Sequence, residues 1–347
     1  MSDFDEDPVL SDVEGEEEHL KEAEDEKVEV QHLTQEIISQ GLSLLCRTGN
    51  GLAHAFVKLN LQKRGLDDIA AINSYIHIRF LDLSNNHLAD LSPLSSLTQL
   101  LWLKQPFAQL TYLQWLSIAM NQLTDVDGLV GPALESLNLT GNRIQRLNGF
   151  QYGSFANLVT LELRGNHLET TDGINLPHLQ QLYLAQNAIK RLEGLEKLER
   201  LTTLHLRDNQ LESLDGLSPS MKCLQYLNAR GNAIIDENAL RYIGFLSQSL
   251  RVLVLSGNPV AENSEYRINV LILVPQLERL DKNPVFPEDR AEAWERIRVT
   301  KTKYIFIFGF IFYPFDLVAL CNFRNFEKRK CMRNKMCNYG QNGEVLD

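Results

Sequence analysis

The sequence predicts an α/β solenoid, in which one short unit recurs along the chain and its copies stack side by side. Three observations support this fold class. The pattern Leu-x-x-Leu-x-Leu-x-x-Asn occurs eight times, with Ile or Ala replacing one Leu in three of the copies. Successive Asn residues of the pattern are 35, 21, 24, 21, 22, 23 and 26 positions apart, and most of these intervals match one repeat of about 22 residues. Leucines also recur downstream of the Asn, as at Leu211, Leu214 and Leu217.

This pattern is a leucine-rich repeat, and its leucines have a physical reason. The Leu-x-Leu step has a period of two, so both side chains point to one side of a short strand. Strands of successive repeats then pair in parallel and bury a continuous column of leucines. We therefore expect a leucine-rich-repeat solenoid with short parallel strands on the concave face, coil and short helical turns on the convex face, and helical caps at both ends.

The Asn of each repeat is predicted to be structural. Its amide carries both donors and an acceptor, so it can bond to backbone groups that the turn after the strand leaves unpaired inside the core. A Gly precedes it in several copies and suits a tight turn. The eight residues are Asn86, Asn121, Asn142, Asn166, Asn187, Asn209, Asn232 and Asn258.

One interval, between Asn86 and Asn121, is neither one repeat nor two. Residues 100–103 resemble the start of a further repeat, but Gln105, Pro106 and Phe107 occupy the positions where the turn needs an Asn. Pro106 also has no backbone N–H to donate. Either this segment is an irregular coil or it is a repeat that has lost part of itself. We favour the second interpretation and expect an irregular stretch, and a weak point in the solenoid, near residues 100–112.

The ends of the chain differ from the repeats in composition. Residues 1–29 contain 14 Asp or Glu and two Lys, a formal charge of −12, whereas the remaining residues are nearly neutral. A nearly neutral body argues against nucleic-acid binding, which needs a basic face. Residues 1–30 are therefore expected to be an acidic, disordered tail. The start of the chain has no secretory signal pattern, and the five cysteines form no disulfide framework, so we expect a reducing compartment.

Caps are expected on both sides of the repeats of residues 59–263, because a terminal repeat would expose its leucines. Residues 31–58 are predicted to form a helical cap that begins at Thr34. Residues 264–299 are predicted to form a cap with a short helix from Ser264 and a charged helix over residues 287–299. The buried side of the first helix is predicted to carry Ile37, Ile38, Leu42, Leu44 and Leu45.

Residues 300–347 form an apolar and then basic tail that we expect to be poorly ordered. Its apolar part, residues 304–320, is interrupted by Pro314 and Asp316, whereas a membrane-spanning helix needs about 20 residues without a central charge. An unstructured tail is favoured, with an added strand or helix on the solenoid or membrane contact as alternatives.

A candidate protein-binding site lies at the outward positions of the strands. Between Tyr183 and Arg230 these positions combine aromatic side chains with Arg, the residue types favoured in binding hot spots. The alternative is an ordinary solvated strand face. The candidate site comprises Tyr183, His205, Arg207, Tyr226, Asn228 and Arg230.

Catalysis finds little support in the sequence. The eight His residues show no metal-ligand spacing, no Ser or Cys nucleophile accompanies His205, and Gly49-Asn-Gly51 is too short for a phosphate loop. We therefore expect a protein that is not an enzyme and that takes no cofactor, metal or small-molecule substrate.

Four stretches carry a family resemblance beyond the repeat: Gly41–Leu59, Gly173-Ile-Asn-Leu-Pro177, Leu182–Asn187 and Leu204–Gln210. Over roughly residues 34–299 the chain resembles the leucine-rich repeat-containing protein 23 family. The resemblance implies a radial-spoke component of motile cilia and sperm flagella, a scaffold role in the axoneme, contact with radial-spoke head proteins, and a contribution to flagellar beating.

The chain departs from that family at Gln105–Phe107, where the family has a complete repeat, and after residue 299, where the family is charged and acidic. The second departure suggests an alternative or mispredicted terminal exon, and it puts in doubt any partner contact made by the usual tail. Two other readings stay open at this point: a cytosolic adaptor that regulates a phosphatase or another enzyme, and a membrane-tethered repeat protein.

Overall fold

The computed structural model of the chain describes residues 31–47, 53–94, 113–126 and 129–308. The acidic segment of residues 1–30, the irregular segment near residues 100–112 and residues 309–347 lie outside the described residues. The expectations for those three segments therefore stay predictions.

Short strands dominate the described residues, because each Leu-x-Leu step supplies only about three residues of extended chain. The strands are β1 (Gln31–His32), β2 (Leu42–Arg47), β3 (His54–Asn60), β4 (Leu66–Asp68), β5 (Phe80–Asp82), β6 (Trp115–Ser117), β7 (Ser136–Asn138), β8 (Thr160–Glu162), β9 (Gln181–Tyr183), β10 (Thr203–His205), β11 (Tyr226–Asn228), β12 (Val252–Val254), β13 (Arg279–Leu280) and β14 (Asn283–Pro284).

Twelve of these described strands form one sheet in the order β14, β13, β12, β11, β10, β9, β8, β7, β6, β5, β3, β2, and β1 pairs with β4 separately. Neighbours from β3 to β13 are parallel, while β2 and β14 close the two ends by antiparallel pairing. Short 3₁₀ helices connect the strands, at Ala70–Ser74, Ser92–Leu94, Leu195–Lys197, Glu237–Leu246 and Pro259–Glu262.

The core is a column of leucines that occupy the same register position in successive strands. Each of them is no more than 1% exposed, so the inward side of β3 and of β5 to β13 is removed from water. This arrangement confirms the predicted leucine-rich-repeat solenoid. The column consists of Leu59, Leu81, Leu116, Leu137, Leu161, Leu182, Leu204, Leu227, Leu253 and Leu280.

An asparagine ladder runs beside this column. In a typical rung, Asn166 Nδ2 donates to the carbonyls of Leu139 and Leu163 at 3.0 and 3.1 Å, and its Oδ1 accepts from the Ile144 N–H at 3.0 Å. The other seven repeat asparagines make the same three bonds. Each Asn therefore ties its own turn to the preceding repeat.

The ladder continues across the long interval between Asn86 and Asn121. Strand β5 pairs directly with β6, and Asn121 Nδ2 donates to the Leu83 carbonyl at 3.0 Å while its Oδ1 accepts from the Leu88 N–H at 3.0 Å. In the described sheet, no other strand therefore lies between β5 and β6.

The N-terminal cap corrects part of the prediction. Thr34 Oγ1 accepts from the Ile37 N–H, and helix α1 (Gln35–Gly41) buries Ile37 and Ile38 as expected. Leu42, however, begins strand β2, where Leu44 and Leu45 are 55% and 56% exposed. The helical pattern was extended too far, because backbone pairing with β3 extends the chain after Gly41.

The C-terminal cap contains helix α2 (Tyr266–Leu273), which ends before Pro275, and helix α3 (Pro287–Phe308). Arg267 joins the two helices by donating to both carboxylate oxygens of Asp289 at 3.1 and 2.7 Å. The predicted boundary at residue 299 is wrong, because α3 continues to Phe308. None of the described helices combines the length and the apolar character that spanning a bilayer requires.

Candidate protein-binding surface

The strand register decides which side chains share the concave face. Leu182, Leu204 and Leu227 lie opposite one another and point inward, so the residues before and after each of them point outward. Tyr183 lies opposite His205, which lies opposite Asn228, and Tyr226 lies opposite Thr203. The repeat therefore brings candidate residues from three separate parts of the chain onto one face.

Three rings form an aromatic stack across β9, β10 and β11. The ring of His205 lies between those of Tyr183 and Tyr226, with centroid distances of 4.8 and 4.9 Å and interplanar angles of 29° and 22°. The Tyr183–His205 distance matches the spacing of about 4.8 Å between neighbouring strands, because these two residues lie opposite each other. Tyr226 lies opposite Thr203, so its ring reaches that of His205 diagonally. Burial, together with the nearby Glu162 and Tyr226, raises the pKa of the Tyr183 hydroxyl, which stays a neutral donor.

Arginines occupy the next outward position after the strands. We call Arg164, Arg207 and Arg230 the arginine row. Arg164 Nε donates to Gln186 Oε1 at 3.0 Å, and Arg207 Nε donates to Asp208 Oδ2 at 3.0 Å. Within the part of the chain that the structure describes, the Arg230 guanidinium has no ion-pair partner. The row is half-buried or exposed, so its guanidinium groups face solvent.

Asn228 has a more local role than the sequence predicted. Its Oδ1 accepts from the backbone N–H of Arg230 at 3.1 Å. Asn138 and Asp82 make equivalent bonds at 2.9 and 3.0 Å, so this is a feature of the repeat turn. Asn228 lies on the candidate surface, but its acceptor is used to hold the chain that presents Arg230.

The eight repeat asparagines lie apart from this surface. Seven of them are no more than 9% exposed and Asn187 is half-buried, and their amides bond to the backbone. Among the described residues, no three His, Cys, Asp or Glu side chains converge as a metal site would require.

The opposite half of the concave face carries an apolar patch that the candidate site did not include. We define it as Leu45, Phe56, Phe80 and Trp115. The strand register places all four side chains on the outward side. Leu45 lies opposite Phe56 in the β2–β3 hairpin. Lys58 is two residues after Phe56 and therefore on the same side; it lies opposite Phe80, and Phe80 lies opposite Trp115. Leu45 and Phe56 were missed because the β2–β3 hairpin was read as helix. The alternation of residues 54–60 was the available signal.

The type of charged side chain also separates the two halves. At the outward positions of β8 to β12 and the turns after them, the carboxylates of Glu162 and Asp208 accompany the three residues of the arginine row. Burial raises the pKa of the Glu162 carboxyl, so its negative charge is disfavoured there. The outward positions of β3 and β5 to β7 carry Lys58 and Asp82, and the turn after β3 adds Lys63 and Arg64. The C-terminal half is therefore distinguished by its row of three Arg side chains and not by a larger net charge.

Comparison with known proteins supports the same fold. The family models described as Leucine-rich repeat match residues 150–306 and residues 77–100. Leucine-rich repeat-containing protein 23 of Bos taurus is 49% identical over 271 residues, which cover 76% of this chain and 79% of that protein. The Mus musculus protein of the same name is 49% identical over 305 residues, covering 84% of this chain and 89% of that protein.

A shorter similarity involves a dynein axonemal assembly factor 1 homolog of Drosophila melanogaster. It is 41% identical over 78 residues, which are 22% of this chain and 5% of that protein. The longer matches, by contrast, cover 75 to 84% of this chain. The chain belongs to the leucine-rich repeat-containing protein 23 family.

Proposed function

We propose that this protein is a non-catalytic scaffold of the axonemal radial spokes, which binds other proteins through its concave face and so supports ciliary and sperm flagellar motility. The observation that carries the proposal is the aromatic stack of Tyr183, His205 and Tyr226 beside Arg207 and Arg230. The partners that we expect are radial-spoke head proteins.

The geometry suits a protein partner. Tyr and Arg are the side chains most often found in binding hot spots, and stacked rings lose little conformational freedom when a partner binds them. The three rings are held by consecutive strands whose inward leucines are fully buried, so the surface is rigid before binding. A flat row of rings and guanidinium groups also offers apolar area and donors together, as protein interfaces require.

The same surroundings support a non-catalytic role. The ring of His205 lies between two tyrosine rings, an arrangement that suits a rigid binding surface. We accordingly propose that the protein takes no cofactor and no small-molecule substrate.

The axonemal part of the proposal has separate support. The resemblance to leucine-rich repeat-containing protein 23, from which we infer the radial-spoke role, covers 76% of this chain in the Bos taurus protein. A protein named as a dynein axonemal assembly factor 1 homolog is similar over a shorter stretch. We propose a location in the cytoplasm and cytoskeleton, at the axoneme of cilia or flagella.

The test is affinity capture by the full chain from an extract of motile cilia. We expect radial-spoke head proteins among the captured proteins, and we expect the Tyr226→Ala/Arg230→Ala variant to lose them. The matched control is Tyr152→Ala/Arg146→Ala, which removes the same two side-chain types from exposed positions outside the concave strands. Capture of a phosphatase in place of spoke proteins would indicate the adaptor role. Unchanged capture by the Tyr226/Arg230 variant would contradict the proposed surface.

A further inference from the structure

We infer that the acidic segment of residues 1–29 binds in cis to the arginine row and the adjoining aromatic stack, and that it competes with partners for this surface. The inference rests on the proposed function only because both place a ligand on the same face. The ligand inferred here is a segment of this chain, residues 1–29, which has the chemistry of an acidic peptide.

Charge complementarity is the first argument. Residues 1–29 contain 14 carboxylates and two Lys, whereas the outward positions of β8 to β12 carry the three guanidinium groups of Arg164, Arg207 and Arg230. Arg binds carboxylates through paired, charge-assisted hydrogen bonds. Arg230 has no ion-pair partner among the described residues, and Arg207 uses its Nε for Asp208, which leaves its terminal nitrogens as further donors.

The carboxylates beside the arginine row oppose an acidic ligand only weakly. Burial raises the pKa of the Glu162 carboxyl, so its negative charge is disfavoured. Asp208, in the turn after β10, is already paired with Arg207. The three guanidinium groups therefore outnumber the two carboxylates at this surface.

Reach is the third argument. The Gln31 N–H donates to the Gly65 carbonyl at 2.9 Å and β1 pairs with β4, so the acidic segment joins the solenoid at its first repeat. From β3 to β10 the sheet advances by six strand spacings, about 29 Å. The run Glu14, Glu16, Glu17 and Glu18 lies 13 to 17 residues before Gln31, and an extended chain of that length spans about 45 to 55 Å.

The covalent link makes this contact efficient. A ligand tethered by a short flexible chain experiences an effective concentration in the millimolar range when the tether spans the distance. Contacts too weak to hold a free acidic peptide can therefore hold residues 1–29 in place. A partner with stronger contacts to the aromatic stack would still displace them.

The test uses the full chain without any partner. Val13 is replaced by the photo-cross-linker p-benzoylphenylalanine, the protein is illuminated, and cross-linked peptides are located by mass spectrometry. We expect cross-links to residues 181–230. In the Arg207→Glu/Arg230→Glu variant they should fall about tenfold, because two charge-assisted contacts are lost. Arg143→Glu/Arg146→Glu, at exposed positions outside the concave strands, makes the same charge change and should leave the yield unaltered.

Several outcomes would overturn the inference. Cross-links spread over the solenoid, or insensitive to the Arg207 and Arg230 reversals in a chain whose circular dichroism is unchanged, would remove the cis contact. Cross-links between light and isotope-labelled chains would assign the segment to a second copy. No cross-links together with Arg230-dependent capture from cilia extract would assign the surface to a partner alone. Because the illumination contains no partner, its failure leaves the proposed scaffold function standing.

Discussion

The two halves of the concave face share one framework and differ in everything that points outward. In both halves the inward leucines are fully buried and each repeat asparagine makes the same backbone bonds. The N-terminal half exposes the apolar patch, whereas the C-terminal half exposes the aromatic stack and the arginine row. The comparison teaches that the repeat dictates the inward positions and leaves the outward positions free to specify a partner.

The largest effect is expected from the shared core. Leu116→Ala in the N-terminal half and Leu204→Ala in the C-terminal half each remove a fully buried side chain from the same column. Each should lower the free energy of unfolding by about 2–5 kcal/mol, measured by urea denaturation. If one half tolerated its substitution with almost no loss while the other did not, the two halves would not share a single core.

The second test concerns the ladder where it crosses the long interval. Asn121→Ala removes the bonds to the Leu83 and Leu88 backbone, and Asn166→Ala removes the equivalent bonds in an ordinary repeat. Both leave buried backbone groups without partners and should cost about 2–4 kcal/mol. The two losses should be similar in urea denaturation. A much smaller loss for Asn121→Ala would mean that the repeats are already uncoupled there, as the predicted weak point requires.

Sequence reasoning recovered the elements with a strict period and missed those without one. The leucine spacing specified the strands around Leu116 and Leu204 because burial allows few alternatives. The first hairpin was missed because Leu42, Leu44 and Leu45 also fit a helical face, and only pairing with a distant strand decides between the two. The candidate residues Tyr183, His205 and Tyr226 could be placed on one face from the alternation alone, but their stacking could not, since it depends on ring orientation.

A smaller effect is expected at the turn residue before each repeat Asn, which adopts a positive φ. Gln186 has φ 56° and Met120 has φ 56°, where side chains other than glycine are strained by roughly 1–2 kcal/mol. Gln186→Gly and Met120→Gly should therefore raise the melting temperature, by similar amounts in the two halves. The reverse control is Gly165→Ala at φ 65°, where an added Cβ would meet no atom closer than 3.7 Å. If that change is neutral, the strain argument is wrong.

The smallest effect is expected at Glu162, a half-buried carboxyl on the outward side of β8 in the C-terminal half. Burial raises the pKa of its carboxyl, so the folded chain holds this proton more tightly than the unfolded chain. The free energy of unfolding should then fall as the pH rises from the pKa of Glu162 in the unfolded chain to its higher pKa in the folded chain. Above the folded-state pKa the destabilisation by the buried carboxylate is complete. Glu162→Gln should stabilise the protein at pH 7 and do so less near pH 3. The exposed Glu169→Gln is the control, and a stabilisation independent of pH would contradict the assignment.

The central claim is that the C-terminal half of the concave face binds the partner. The most direct measurement compares two double variants in capture from an extract of motile cilia. Tyr183→Ala/Tyr226→Ala removes two rings of the aromatic stack, and Phe56→Ala/Phe80→Ala removes two rings of the apolar patch. We predict that the first variant loses spoke-protein capture by at least about tenfold, a typical cost of removing an aromatic hot spot, while the second retains it. Equal losses, or a loss confined to the Phe56/Phe80 variant, would contradict this account.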